Sequence, residues 1–361
     1  MGMTRWMKVL CTAAVVTGCT TESNVAPDAD IKLTGKVLLE DGKPVANTLL
    51  TIDRSTNSEC TLGVLFGDWN WKSVKTDAEG AFSLDLLGAD TQNNGNVARC
   101  FILHPPKTAK GRGMSVSFLV QQEQVRIPTL QEWGGAPAAT ASADGVNVTF
   151  QSIPAPESGA TAGSHSVTVR QGSSGMIWAV DVAQSGLLLN DSILEDVAAE
   201  ASVHARREFK GSGTTFTLSY EGDSVALPRR ARVPASRGAS CTYPAAPTVC
   251  PLTDGTLGSG GQFTDTREVV LQLAQPKVLR KAVVRNLETW FPPRELVLEG
   301  SSDGVTWVPL ANLLRASGVP QFLEVDLSYP TALSQVRVRL TPQDANSTQG
   351  LLRLSELSLF E

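Results

Sequence analysis

The residues of this chain best suited to chemistry are its cysteines and one aromatic loop. Six cysteines occur in 361 residues, and Cys60, Cys100, Cys241 and Cys250 lie beyond the first twenty. An even number in an exported chain suggests disulfides. The pairing Cys60–Cys100 and Cys241–Cys250 keeps each bridge inside one proposed domain. Metal binding is the weaker reading, because no cysteine pair has zinc-finger spacing and His104, His165 and His204 are isolated. The loop Asn286-Leu-Glu288-Thr-Trp290-Phe291-Pro-Pro-Arg294 sets an aromatic pair beside two prolines and an arginine. Aromatic faces bury the apolar side of a sugar while polar groups hold its hydroxyls. The same pair is equally able to pack against its own domain or a neighbouring one. Catalytic spacings fail: Gly172-Ser-Ser174-Gly-Met176 has Met where a nucleophile elbow needs glycine, and Gly258-Ser-Gly260 runs on to Phe263 where a dinucleotide fingerprint needs a third glycine. Two carboxylates of a glycosidase are not readable from spacing, but the chain is fully used by small β domains. The expectation is a protein that is not an enzyme.

The start of the chain sets the environment of these groups. Arg5 and Lys8 precede an apolar run, Val9 to Val16, which leads into Thr17-Gly18-Cys19. That is the layout of a secretory signal, and it is shorter than the ~20 apolar residues that span a bilayer. An ordinary signal that happens to contain a cysteine is the plainer alternative. Val16-Thr17-Gly18-Cys19 resembles a bacterial lipobox, which implies a signal peptide over 1–18, acylation of Cys19 and an outer-membrane lipid as partner. Thr20 after the cysteine, where aspartate would retain the protein at the inner membrane, favours the outer membrane of the cell envelope. Loss of residues 1–18 would move the net charge from −5 to −7 by removing Arg5 and Lys8. A mildly acidic chain with scattered basic residues argues against a nucleic-acid partner.

Beyond a polar tether, 19–30, the chain alternates and turns as an all-β protein. Ile31 to Leu39 and Thr48 to Asp53 flank Asp41-Gly42, a hairpin signal because glycine accepts positive φ. The segments GKVLLEDGKPVANTLLTI (35–52) and VKTDAEGAFSLDL (74–86) resemble the carboxypeptidase regulatory-like, or transthyretin-like, domain. The resemblance implies a small β-sandwich over 31–133 serving as a spacer. An insertion from Asn57 to Trp71 departs from it and carries Cys60, Trp69 and Trp71. The two tryptophans are expected in the core rather than on an exposed patch.

A small-residue linker, 134–143, precedes a segment at 144–233 that resembles no family and is expected to form a second β-sandwich. Within it, Lys210-Gly-Ser-Gly213 reads as a hairpin loop, and 192–201 as a helical turn capped by Ser192. From 240 to 361 three motifs follow in order: Leu252-Thr-Asp254-Gly255, Ser301-Ser-Asp303-Gly304-Val-Thr-Trp307 and Ser355-Glu356-Leu357. Together they resemble the galactose-binding-like jelly roll of the discoidin, or coagulation factor type C, family, although the loop after Gly255 lacks its usual tryptophan. Asp303-Gly304 is read as a turn, with Trp307 anchoring the next strand in the core.

The resemblance implies two sites. One structural calcium would take the Leu252 carbonyl, Asp254, Thr256 and Glu356, a donor set suited to a hard cation. The alternative makes Asp254-Gly255 a turn and Glu356 a surface charge. A ligand would meet loops at one end of the sandwich, where Trp290, Phe291, Arg294 and Arg285 are the candidates. The expected architecture is therefore tandem β-sandwiches ending in a jelly roll. The expected role is a lipid-anchored envelope protein that binds a glycan or a surface protein, as in adhesion. A purely structural or protein-interaction lipoprotein is the alternative, because this fold hosts several kinds of binder.

Overall fold

Period-two alternation governs the folded chain, as the sequence pattern predicts. The computed structural model describes residues 21–56, 58, 60, 67–93, 96–154, 160–171, 176–182, 185–190, 198–228, 232–242, 250–255, 261–263, 268–286, 295–314, 322–341 and 352–361. These residues form twenty-four strands and a single short 3-10 helix, so the protein is all-β. The chain divides into two units. One comprises 1–134, 154–163 and 206–221; the other comprises 135–153, 164–205 and 222–361. Residues 206–221, read from the sequence as part of a middle domain, cluster with the first unit.

The first unit contains β1 (Asp30–Leu38), β2 (Leu49–Ser55), β3 (Gly67–Lys75), β4 (Ala81–Leu87), β5 (Cys100–His104), β6 (Gly113–Leu119), β7 (Gln124–Arg126) and β8 (Leu130–Gln131). The Asp41-Gly42 turn forms, with Gly42 at φ 81°, and a short ladder runs back from it: Leu39 donates to the Lys43 carbonyl and Val45 to that of Val37. β1 and β2 nevertheless do not continue as a hairpin. Asn47 adopts φ 53°, and the chain leaves β1 for another sheet. β1 pairs with β4 from Asp30↔Leu87 to Lys36↔Ala81 and with β7 in parallel, while β2 pairs with β3 and β5. The Thr76-Asp77-Ala-Glu-Gly80 motif is a turn with a local cause. Asp77 Oδ1 accepts the Glu79 and Ala81 amides at 3.0 and 2.8 Å, and Gly80 takes φ 76°. Aromatic rings tie the unit across its strands: Trp71 meets Phe101 at 5.7 Å, Phe101 meets Phe118 at 5.9 Å and Phe118 meets Phe216 at 5.5 Å. Such tilted and offset pairs add to the stabilisation from burial alone. The Cys60–Cys100 disulfide is formed, with Cα atoms 5.2 Å apart.

The second stretch of chain contributes β9 (Ala138–Ser142), β10 (Gly145–Thr149), β11 (Ser164–Gln171), β12 (Met176–Val182), β13 (Gly186–Asn190), β14 (Ala199–Gly211) and β15 (Thr214–Ala226). The β14–β15 turn is tighter than the predicted four-residue loop. Ser212 and Gly213 take φ 47° and 70°, the geometry that matches the twist of adjoining strands. The helical reading of 192–201 fails where it can be checked: Ala199–Ala201 opens β14, and 191–197 lie outside the described residues.

The C-terminal sandwich is built from β16 (Ser240–Thr242), β17 (Gly261–Phe263), β18 (Glu268–Lys277), β19 (Lys281–Asn286), β20 (Glu295–Ser301), β21 (Val308–Leu314), β22 (Phe322–Asp326), β23 (Leu333–Thr341) and β24 (Leu352–Phe360). One sheet has the order β16-β18-β23-β20-β21, the other β17-β24-β19-β22. Consecutive strands change sheet at every step except β20–β21, which is the weave of a jelly roll. Leu271, Leu298, Val336, Val338, Leu357 and Leu359 fill the space between the sheets. Cys241 is bonded to Cys250, with Cα atoms 5.1 Å apart. Asp303-Gly304 turns as predicted: Asp303 Oδ1 accepts the Val305 and Thr306 amides, each at 2.8 Å. Trp307 is not in the core. It lies half-buried with the Arg337 guanidinium 4.3 Å from its ring centre, because Val336 and Val338 take the inward positions of β23 and Arg337 faces out.

Candidate functional site

Strand register shows which end of the C-terminal sandwich gathers its long connections. In one sheet Phe263 pairs with Leu352, Asn286 with Leu354 and Arg285 with Phe322. In the other, Glu268 pairs with Arg339, and Glu295 with both Thr341 and Leu314. The strand ends that bracket 264–267, 287–294, 315–321 and 342–351 therefore lie at one edge of the sandwich. Each of these four connections passes from one sheet to the other. At the opposite edge the Asp303 turn and the 278–280 connection are short. Trp290, Phe291 and Arg294 belong to 287–294 and lie outside the described residues, as does Thr256.

Arg285, grouped with them from the sequence, is placed differently. It is 1% exposed, and its Nη1 donates to Ser358 Oγ at 2.7 Å. A surface ligand does not reach a guanidinium held inside the fold, so its role here is to tie β19 to β24.

The expected calcium ligands are partly brought together. The Leu357 amide donates to the Leu252 carbonyl at 2.7 Å, and the Gly255 amide donates to Glu356 Oε1 at 3.3 Å. Loop 250–255 thus lies against β24, with Asp254 half-buried in it. Glu356 is not a surface charge: its side chain is 2% exposed, and Oε1 takes a hydrogen bond from Arg237 Nη1 at 3.2 Å, with Oε2 buried as well. A calcium ion takes six to eight oxygens, whereas Oε1 of this carboxylate already faces a guanidinium and an amide, which does not suit that oxygen to the ion. Among the described residues no cluster of three or more His, Cys, Asp or Glu is placed to hold a metal.

Arg237 is the residue that sequence reading missed. It sits in Pro234-Ala-Ser-Arg-Gly-Ala-Ser, a stretch that looks like linker. Its turn is clamped onto the sandwich: the Ala235 amide donates to the Leu359 carbonyl at 2.7 Å and the Gly238 amide to that of Thr253 at 2.8 Å. Ser236 Oγ donates to the Leu357 carbonyl and accepts the Leu359 amide, both at 3.0 Å. Only an arginine wedged between proline and glycine hinted at a role, and its partner is 119 residues away.

In the first unit the tryptophans of the 57–71 insertion part company. Trp69 is 56% exposed, which corrects its expected core position. Trp71 is half-buried, with Arg54 and Lys72 cations 4.3 and 4.4 Å from its ring centre. The cause is a bulge in β3: Asn70 takes φ 51° and its amide donates to Asp53 Oδ1 at 2.7 Å. The register slips there, between Ile52 and Arg54 of β2.

Residues 1–20, which carry the expected signal and Cys19, lie outside the described residues. No helix among the described residues is long and apolar enough to cross a membrane.

No known family of sequences matches the chain, and no curated protein does. Several solved structures are similar to part of it. A family 32 carbohydrate-binding module from Streptococcus pneumoniae EndoD is 13% identical, with a TM-score of 0.29, over 36% of this chain and 99% of the module. A putative chitobiase fragment from Bacteroides thetaiotaomicron is 16% identical, with a TM-score of 0.27, over 30% of this chain and 72% of the fragment. SpGH29 is 20% identical, with a TM-score of 0.29, over 36% of this chain; the similar part spans 28% of that protein's own length.

Proposed function

We propose that this is an exported, lipid-anchored protein of the cell envelope whose C-terminal sandwich recognises carbohydrate without catalysing a reaction on it. The observation that supports this reading most is the gathering of four sheet-to-sheet connections at one edge, bracketed by the ends of β17 to β24. Two packed sheets are a rigid scaffold from which connecting loops can present side chains to a ligand. One of the four carries Trp290, Phe291 and Arg294, the aromatic and fork-donor chemistry that a pyranose ring and its hydroxyls require. Acylation at Cys19, followed by the 20–30 tether, would hold this module at the outer membrane, and the first unit would act as a spacer.

The test is a glycan array probed with the full mature chain and with Trp290→Ala. Binding by the wild type that falls at least tenfold in a folded Trp290→Ala protein is the expected result. A wild-type protein that folds and binds no glycan would overturn the reading and favour a protein partner. Cys19→Ser should move the protein from the membrane fraction to the soluble one. Retention in the membrane would sink the lipid anchor.

A further inference from the structure

We propose that Arg237 is a built-in cation: it supplies to Glu356 the charge that a bound metal would supply, so the C-terminal sandwich closes and keeps its final strand without any metal. The outer face of β24 shows how. Glu356, Ser358 and Phe360 alternate along it, and each is met by an arginine: Arg237 on Glu356, Arg285 on Ser358 and Arg232 over the Phe360 ring at 4.4 Å. A strap of chain, 232–239, brings Arg232 and Arg237 to that face, and its backbone bonds to Leu359 and Thr253 fix its place.

Arg237 also reaches loop 250–255. A Cβ at Gly255 would collide with its guanidinium, so the glycine that the turn needs for its φ of 81° also makes room for the arginine. A carboxylate this deeply buried is costly unless it is paired and hydrogen-bonded. Arg237 and the Gly255 amide do both at Oε1, and a second cation at that oxygen would be repelled. Three pieces, the entry strap, the loop that follows Cys250 and the last strand, therefore meet at one ion pair. Its consequence is independence from free calcium: neither chelation nor a fall in calcium loosens the module.

The experiment is a set of thermal melts and calorimetric calcium titrations on the full mature chain. The wild type should melt at the same temperature with excess EDTA as with millimolar calcium, and should show no heat of calcium binding. Arg237→Gln strands a buried charge and should lower the sandwich transition by roughly 5–10 °C. Glu356→Gln leaves the partly exposed arginine hydrated, so its loss should be smaller, and the double variant Arg237→Gln/Glu356→Gln should regain part of the Arg237→Gln loss. If Arg237→Gln fails to fold, Arg237→Lys answers instead: it keeps the charge without the planar fork, and should melt below the wild type and at the same temperature in EDTA as in calcium. A calcium-dependent rise in the wild-type melting temperature would overturn the proposal. So would an Arg237→Gln protein as stable as the wild type, or a double variant no better than Arg237→Gln.

Discussion

Two ion pairs, one in each unit, use the same residue types to different ends. Between β2 and β3 of the first unit, Arg54 bonds Asp68 Oδ2 through Nη2 at 2.6 Å and Nε at 3.1 Å, and its guanidinium covers Trp71. Lys72 joins through Asp90 at 3.0 Å. Asp68 is half in water, so this network gains little from charge and mainly shields one face of an indole. In the C-terminal sandwich, Arg237 meets a carboxylate that has left water altogether. There the charge must be matched, and removing either partner has unequal consequences. What separates their energetics is the burial of the acid.

The disulfides widen this contrast and should give the largest effect. Replacing Cys60 and Cys100 by alanine releases a bridge of sequence separation 40, against 9 for Cys241–Cys250. The chain-entropy estimate is about 4 kcal/mol for the first and about 2.7 kcal/mol for the second. Denaturant melts of the two double variants read the difference, and an equal or reversed loss would show that native-state effects outweigh loop closure.

Next comes the tryptophan pair. Trp71→Ala removes the ring that packs on Phe101 between two cations and should cost about 2 kcal/mol. Trp69→Ala, two residues along the same strand but across the bulge, should cost less than about 0.5 kcal/mol. Equal losses would mean that Trp69 is also held by packing.

The smallest effect is expected at the Asp303 turn. The Thr306 and Val305 amides, followed by the Ser301 hydroxyl, hold its carboxyl well below the usual 3.8. The folded form therefore prefers the ionised acid: the contribution is fully present above the unfolded value and is lost as pH falls below about 4 toward the depressed folded one. Asp303→Asn should flatten the acid limb of the sandwich's stability against pH without changing stability's slope near neutrality. An unchanged acid limb in that variant would remove Asp303 from the account.

Much of the fold was legible in the residues. Alternation marked the strands, and the Asp41-Gly42, Thr76-to-Gly80 and Asp303-Gly304 turns were readable because one side chain or one glycine within four residues sets each of them. Both disulfides were readable from domain order. Trp69 and Trp307 were misplaced for a shared reason: strand alternation tells that neighbours face opposite ways, but a bulge at Asn70 or an arginine across the sheet decides which way. Of the candidate site, the aromatic loop was visible as composition, whereas the place of the strand ends that bracket it followed only from the register of six strands.

By itself, then, the amino-acid order determined the β character, the local turns, the bridges and the net negative charge, all of which depend on interactions within a few residues or on simple counts. Tertiary structure alone decided that β1 leaves β2 to pair with β4, that Arg285 turns inward, and that the buried Glu356 finds its countercharge 119 residues upstream. The physical reason is the same in each case. A strand's partner and a buried group's neutraliser are settled by which surfaces lose water together, and that is a property of the packed whole.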